Sequence, residues 1–117
     1  MSQEQRLAEY LAHILEAIER IDTYVSDLDE LAFLKSHLVQ DAVIRNFEII
    51  GEACNNIEKR YSNFAAEHPE LPLSSAYQMR NALAHGYFKV DFEVLWKTIH
   101  NDLPLLYDQI KAALPKG

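Results

Sequence analysis

The sequence predicts an all-α fold: an antiparallel bundle of four to five helices forming a single domain over residues 1–117. Three observations carry that expectation. Apolar residues recur at steps of three and four through two long stretches. Only three glycines and four prolines interrupt the 117 residues, too few for a loop-rich or multi-strand fold. Hydrophobic residues make up 49% of the chain, enough to fill one core at this length.

The first helix is expected from about Gln3 to Val25, with Leu7, Leu11, Ile14, Ile18, Ile21 and Val25 in one apolar stripe. Glu9, Glu16, Glu19 and Arg20 fall on the other side. Ser26 to Glu30 punctuate the chain, and Asp29 is placed to cap a short helical turn holding Leu31, Phe33 and Leu34. A second long helix follows from about Ser36 to Tyr61. Val39, Val43, Phe47, Ile50, Cys54, Ile57 and Tyr61 form its main stripe, and Leu38, Ala42, Ile49 and Ala53 widen it. This should be the most buried helix. Gly51 lies inside it, where glycine costs roughly 1 kcal/mol against alanine; a close approach by another helix is one reason to bear that cost.

Asp41, Arg45, Glu48, Glu52, Asn55 and Lys59 share another face of the same helix. They read either as a solvated face with ion pairs such as Asp41 with Arg45, or as a polar cleft or dimer seam into which Arg45, Glu48 and Glu52 point. His68 to Pro72 form a linker. Ser74 or Ser75 is expected to cap the next helix, which holds Tyr77, Met79, Arg80, Leu83 and Ala84. Gly86 reads as the residue just past its end. Asp91 is expected to cap a helix from Val90 to about Asn101, with Val94, Leu95, Trp96 and Ile99 inside. Pro104 opens a last helical piece ending near Leu114. Connections this short fit an antiparallel bundle.

The net charge of −7 and the pI near 5.1 argue against broad binding to duplex DNA, which needs many cations to displace counterions. A local basic pocket is still compatible with that balance. The single cysteine, Cys54, reads as a buried small hydrophobe. No basic, apolar leader opens the sequence and no stretch is long enough to cross a bilayer, so the expected location is the cytoplasm. His13, His37, His68 and His100 lack the spacing that zinc ligation requires, and no metal site is expected.

The chemistry concentrates between Arg80 and Tyr87. A neutral imidazole such as His85 can take a proton from an attacking hydroxyl. The guanidinium of Arg80 can hold a phosphate and stabilise charge growing on it. Asn81 could orient either group. On a continuous helix Arg80 and His85 lie about 140° apart. They can cooperate if the helix ends between them, or if Arg80 of one chain complements His85 of another across a two-fold axis. Taken by itself, His85 could equally be a helix C-terminal cap. Tyr87 could be an amphipathic surface residue.

Met79-Arg80-Asn81-Ala82-Leu83-Ala84-His85-Gly86-Tyr87-Phe88 resembles the HepT form of the HEPN motif: arginine, four residues, histidine, one residue, tyrosine. Asp41 to Arg45 running into Glu48 to Ala53, and Val94 to Ile99 followed by Asp102-Leu103-Pro104, match the family in the same order. The resemblance implies a homodimeric HEPN bundle. It also implies a metal-independent RNA endonuclease toxin with no cofactor, its site in the dimer cleft. Arg80 and His85 then match the catalytic pair, and Asn81 the polar position beside it. Tyr87 matches the tyrosine on which a partner MntA-type nucleotidyltransferase antitoxin places AMP to silence the toxin. Arg45, Glu48 and Glu52 match positions that support the cleft or the dimer. Two departures stand out: Leu73-Ser74-Ser75 where many relatives carry a tryptophan, and Gln78 where many have glycine. They bear on substrate access. The alternative is a non-catalytic helical subunit that docks a nucleotidyltransferase and presents its substrate, a reading that the acidic balance favours.

Overall fold

The computed structural model describes residues 2–85 and 90–114. Among them are seven helices and no strand: α1 (Gln3–Val25), α2 (Glu30–Lys35), α3 (His37–Arg60), α4 (Ser62–Glu67), α5 (Leu73–His85), α6 (Phe92–Asn101) and α7 (Leu103–Ala113). Five are long enough to be bundle members, and α2 and α4 are six-residue connectors. The all-α bundle expected from the sequence is therefore the observed architecture.

α1 begins at a capping box in which Ser2 and Gln5 satisfy one another's backbone N–H. Its predicted stripe, from Leu7 to Val25, is buried along its length. Asp29 caps α2 by accepting from Ala32 N at 2.8 Å. Phe33 of α2 is fully buried and meets the rings of Phe92 and Trp96 at centroid distances of 6.3 and 5.3 Å. Leu31, on the same short helix, is 61% exposed. The last carbonyls of α2 find an unexpected partner. Buried Gln40 of α3 donates from Nε2 to Phe33 O at 3.0 Å and Leu34 O at 3.1 Å, satisfying acceptors that the end of a helix leaves open.

α3 is the centre of the bundle, packed between α1 and α5. Ser36 caps it, and Val43, Phe47, Ile50, Cys54 and Ile57 are buried as the periodicity predicts. Leu38 departs from the expected widening of the stripe: it is 82% exposed, lying on the stripe's flank in the first turn. After Tyr61 leaves helical geometry, α4 forms where the sequence suggested no element. Its Phe64 packs against the core and faces the ring of His68 at 4.4 Å.

Two further expectations are corrected. Neither Ser74 nor Ser75 caps α5; both are exposed residues of its first turn. The helix starts at Leu73, two residues earlier than a cap at Ser74 would place it, seated by buried Leu71 and Leu73, and Pro72 O accepts from Ala76 N. Proline suits such an entry because its fixed φ precedes a helix without strain. In α6 the cap at Asp91 is as expected, accepting from Glu93 N and Val94 N. Leu95 and Ile99 form its buried face, however, while Val94, one residue off that face, is 54% exposed. Pro104 occupies the first turn of α7. Tyr107 Oη then donates to Glu19 Oε2 at 2.7 Å, tying α7 to α1. Among the described residues no helix is long and apolar enough to cross a membrane.

Candidate functional site on α5

α5 is continuous through both Arg80 and His85. That removes the first of the two arrangements open to the pair, in which the helix would end between them. With five residues at about 100° each, the two side chains leave the axis about 140° apart. Arg80 turns toward α3 and is half-buried; His85, the last residue of α5, is exposed. The structure therefore does not bring them together on one face of one chain. Gly86 and Tyr87 lie outside the described residues, so the expected helix end at Gly86 and the position of Tyr87 do too.

Arg80 is held in place by its surroundings. Its Cβ and Cγ lie against the bare backbone of Gly51 on α3. Its Nη1 donates to Asn81 Oδ1 at 2.8 Å. Its Nε is buried and meets no acceptor among the described residues. Asn81 thus orients Arg80 rather than His85, one of the two options that the sequence left open.

The polar stripe of α3 is a solvated face in the single chain. Asp41, Arg45 and Glu52 are exposed and Glu48 is half-buried. Among the described residues Arg45 pairs with Glu48, Nη1 to Oε2 at 3.6 Å, rather than with Asp41. With the Arg45 side chain 68% exposed, such a pair contributes little to stability. Among the described residues nothing directs Arg45, Glu48 or Glu52 toward His85.

Several polar groups lay outside the expected set. Asn46 is buried, donating from Nδ2 to Ala42 O at 2.9 Å with Oδ1 unpartnered among the described residues. A signal for both Asn46 and Gln40 was present, since each interrupts or borders the run of Val43, Phe47 and Ile50. Cys54 is buried, and desolvation, helped by Glu58, pushes its thiol up to about 12, so it is no nucleophile near neutrality. Burial raises the carboxyl of Asp22 at the α1–α7 contact, against the pull of His100. Among the described residues no three His, Cys, Asp or Glu side chains gather as metal ligands would.

An all-helical bundle whose fifth helix carries the Arg80–Asn81 pair and an exposed His85 is that of a HEPN-type protein. The chain belongs to the ribonuclease HepT-like family, whose model matches residues 14–113. It is 45% identical over 84% of its length, and 86% of the relative's, to a protein of Thermococcus cleftensis named "Probable ribonuclease HepT". A Caldanaerobacter subterraneus protein named "Putative RNase" is 36% identical, over 92% of this chain and 93% of the relative. A Methanocaldococcus jannaschii protein whose name couples a γ-glutamylcyclotransferase to an RNase is 41% identical over 86% of this chain, a match spanning 44% of that relative. No solved structure matches the chain significantly.

Proposed function

We propose that this protein is a metal-independent RNA endonuclease, the toxin of a HEPN/MNT pair, acting as a homodimer in the cytoplasm with residues 1–117 as one domain. The observation that carries the reading is the placing of Arg80, Asn81 and His85 on one helix of a chain in this family. His85, exposed at the end of α5, is the general base that takes the proton of a ribose 2′-hydroxyl and the acid that returns one to the leaving 5′-oxygen. Attack by the 2′-oxygen on the adjacent phosphorus expels that 5′-oxygen and leaves a 2′,3′-cyclic phosphate. Arg80, oriented by Asn81, holds the phosphate and stabilises its growing charge.

Because one chain points Arg80 and His85 apart, the site is assembled across a two-fold axis, with Arg80 of one protomer serving His85 of its partner. Arg45, Glu48 and Glu52 are then the polar lining of the seam, which accounts for the solvent exposure of Arg45 and Glu52 in the single chain. Tyr87 is the residue on which an MntA-type nucleotidyltransferase antitoxin places AMP. The added phosphate and nucleoside would fill the place of the RNA phosphate two residues from His85 and repel the substrate.

Incubation of mixed RNA with the purified dimer in EDTA tests this directly. Cleavage to cyclic-phosphate ends, lost in both His85→Ala and Arg80→Ala, is the expected result. A folded, unmodified dimer that leaves RNA intact would shift the assignment to a non-catalytic subunit that docks the nucleotidyltransferase, as the net charge of −7 would favour.

A further inference from the structure

At one point in the α3–α5 contact no side chain fits. A Cβ added to Gly51 would overlap the Cβ of Arg80 and lie 2.9 Å from both Arg80 Cγ and Ala76 O. These are the root of a side chain and a helix carbonyl, neither of which can swing aside as a flexible tip does. The bare backbone of Gly51 is therefore what lets α5 come close enough to seat Arg80 on α3. Seating the root this deep leaves Nε buried without a partner among the described residues, an arrangement that disfavours folding and persists only because the packing imposes it. With Nε closed off, the side-on fork of Nε and an Nη is unavailable to an anion. The end-on pair, Nη1 and Nη2, is what remains, and Asn81 holds Nη1 from one side.

We propose that Gly51 is a positioning residue for Arg80: its missing side chain sets the guanidinium so that it grips an RNA phosphate end-on, through its two Nη groups, with Nε buried. This rests on Arg80 being the phosphate-holding group, as argued above.

The first readout is Arg80 itself, by NMR of the isotope-labelled wild-type protein. The Nε–H signal of Arg80, assigned by its loss in Arg80→Lys, is expected to exchange with solvent at least about tenfold more slowly than that of exposed Arg45, as a buried donor does. Equal exchange rates for the two arginines overturn the proposal. In Gly51→Ala the Arg80 signal should exchange as fast as that of Arg45. The KM for RNA should rise about tenfold, as for the loss of one charge-assisted hydrogen bond, while the pH profile of kcat keeps its wild-type shape. An unchanged KM in a folded Gly51→Ala dimer counts against positioning. If Gly51→Ala fails to fold, the wild-type exchange comparison decides alone: a slow Arg80 Nε–H supports the seat, and exchange as fast as at Arg45 overturns it. A wild-type protein with a slow Nε–H that does not cut RNA would sink the nuclease reading and leave the seat standing.

Discussion

His85 stands free at the end of α5, whereas Cys54 is sealed in the middle of α3, and the two respond to change in opposite ways. Replacing exposed His85 by alanine removes no packing. Stability should stay within about 0.5 kcal/mol of wild type, while RNA cleavage falls about 10²–10⁴-fold with the proposed general base gone. A thermal melt beside a cleavage assay checks both, and a large fall in Tm would mean that the imidazole is structural. Cys54 titrates instead through stability. Its thiol pKa is raised on folding, from 9.0 to about 12. The unfolded chain therefore loses its proton first as pH rises, and the stabilisation is complete below 9.0 and lost between there and about 12. Urea melts at rising pH should show a loss of about 1.4 kcal/mol per unit in that window, and Cys54→Val should lack that component. At this scale the sequence already contained the angle between Arg80 and His85, because it follows from five residues on a helix. It also contained the reason for Gly51. What it lacked was the partner, since a close approach between helices does not say which residue approaches.

Elements were legible in proportion to their length. α1 and α3 each present six or seven apolar residues at steps of three and four, so their bounds differ from expectation by a residue or less. α4 was missed because six residues hold under two turns and show no period; tertiary contact through Phe64 holds it. The start of α5 was misplaced because two serines advertise a cap more strongly than a proline does, and burial of Leu71 and Leu73 decided otherwise. The capping assignments predict a contrast. Asp91→Ala should destabilise the protein by about 1 kcal/mol, since its carboxylate holds two backbone N–H groups at the start of α6. Ser74→Ala and Ser75→Ala should each change stability by less than about 0.5 kcal/mol. Chemical denaturation of the three variants checks this, and a cost at Ser74 or Ser75 matching that at Asp91 would restore the serine cap.

For the whole molecule, a site shared across a two-fold axis makes a prediction that no single-chain site allows. Mixing Arg80→Ala chains with His85→Ala chains should restore RNA cleavage to about one quarter of wild type. Statistically half of the dimers are mixed, and each mixed dimer keeps one intact site of two. Cleavage that remains absent after the chains have been shown to exchange would place both groups within one chain. The proposed assembly does not follow from the bundle pattern, which describes how a chain buries its own apolar stripes and not what it does with exposed Leu38, Val94 or Leu105. Within the chain, Gln40 imposes an order of events. A helix as short as α2 does not persist alone in water, and two of its final carbonyls, Phe33 O and Leu34 O, accept from an amide that belongs to α3, Phe33 O accepting from Ser36 N as well. α2 is therefore expected to form with α3 and dissolve with it, so its hydrogen-bonded amides, Phe33 to Lys35, should resist deuterium as long as the centre of the bundle does, and in Gln40→Leu they should exchange on their own, ahead of the rest.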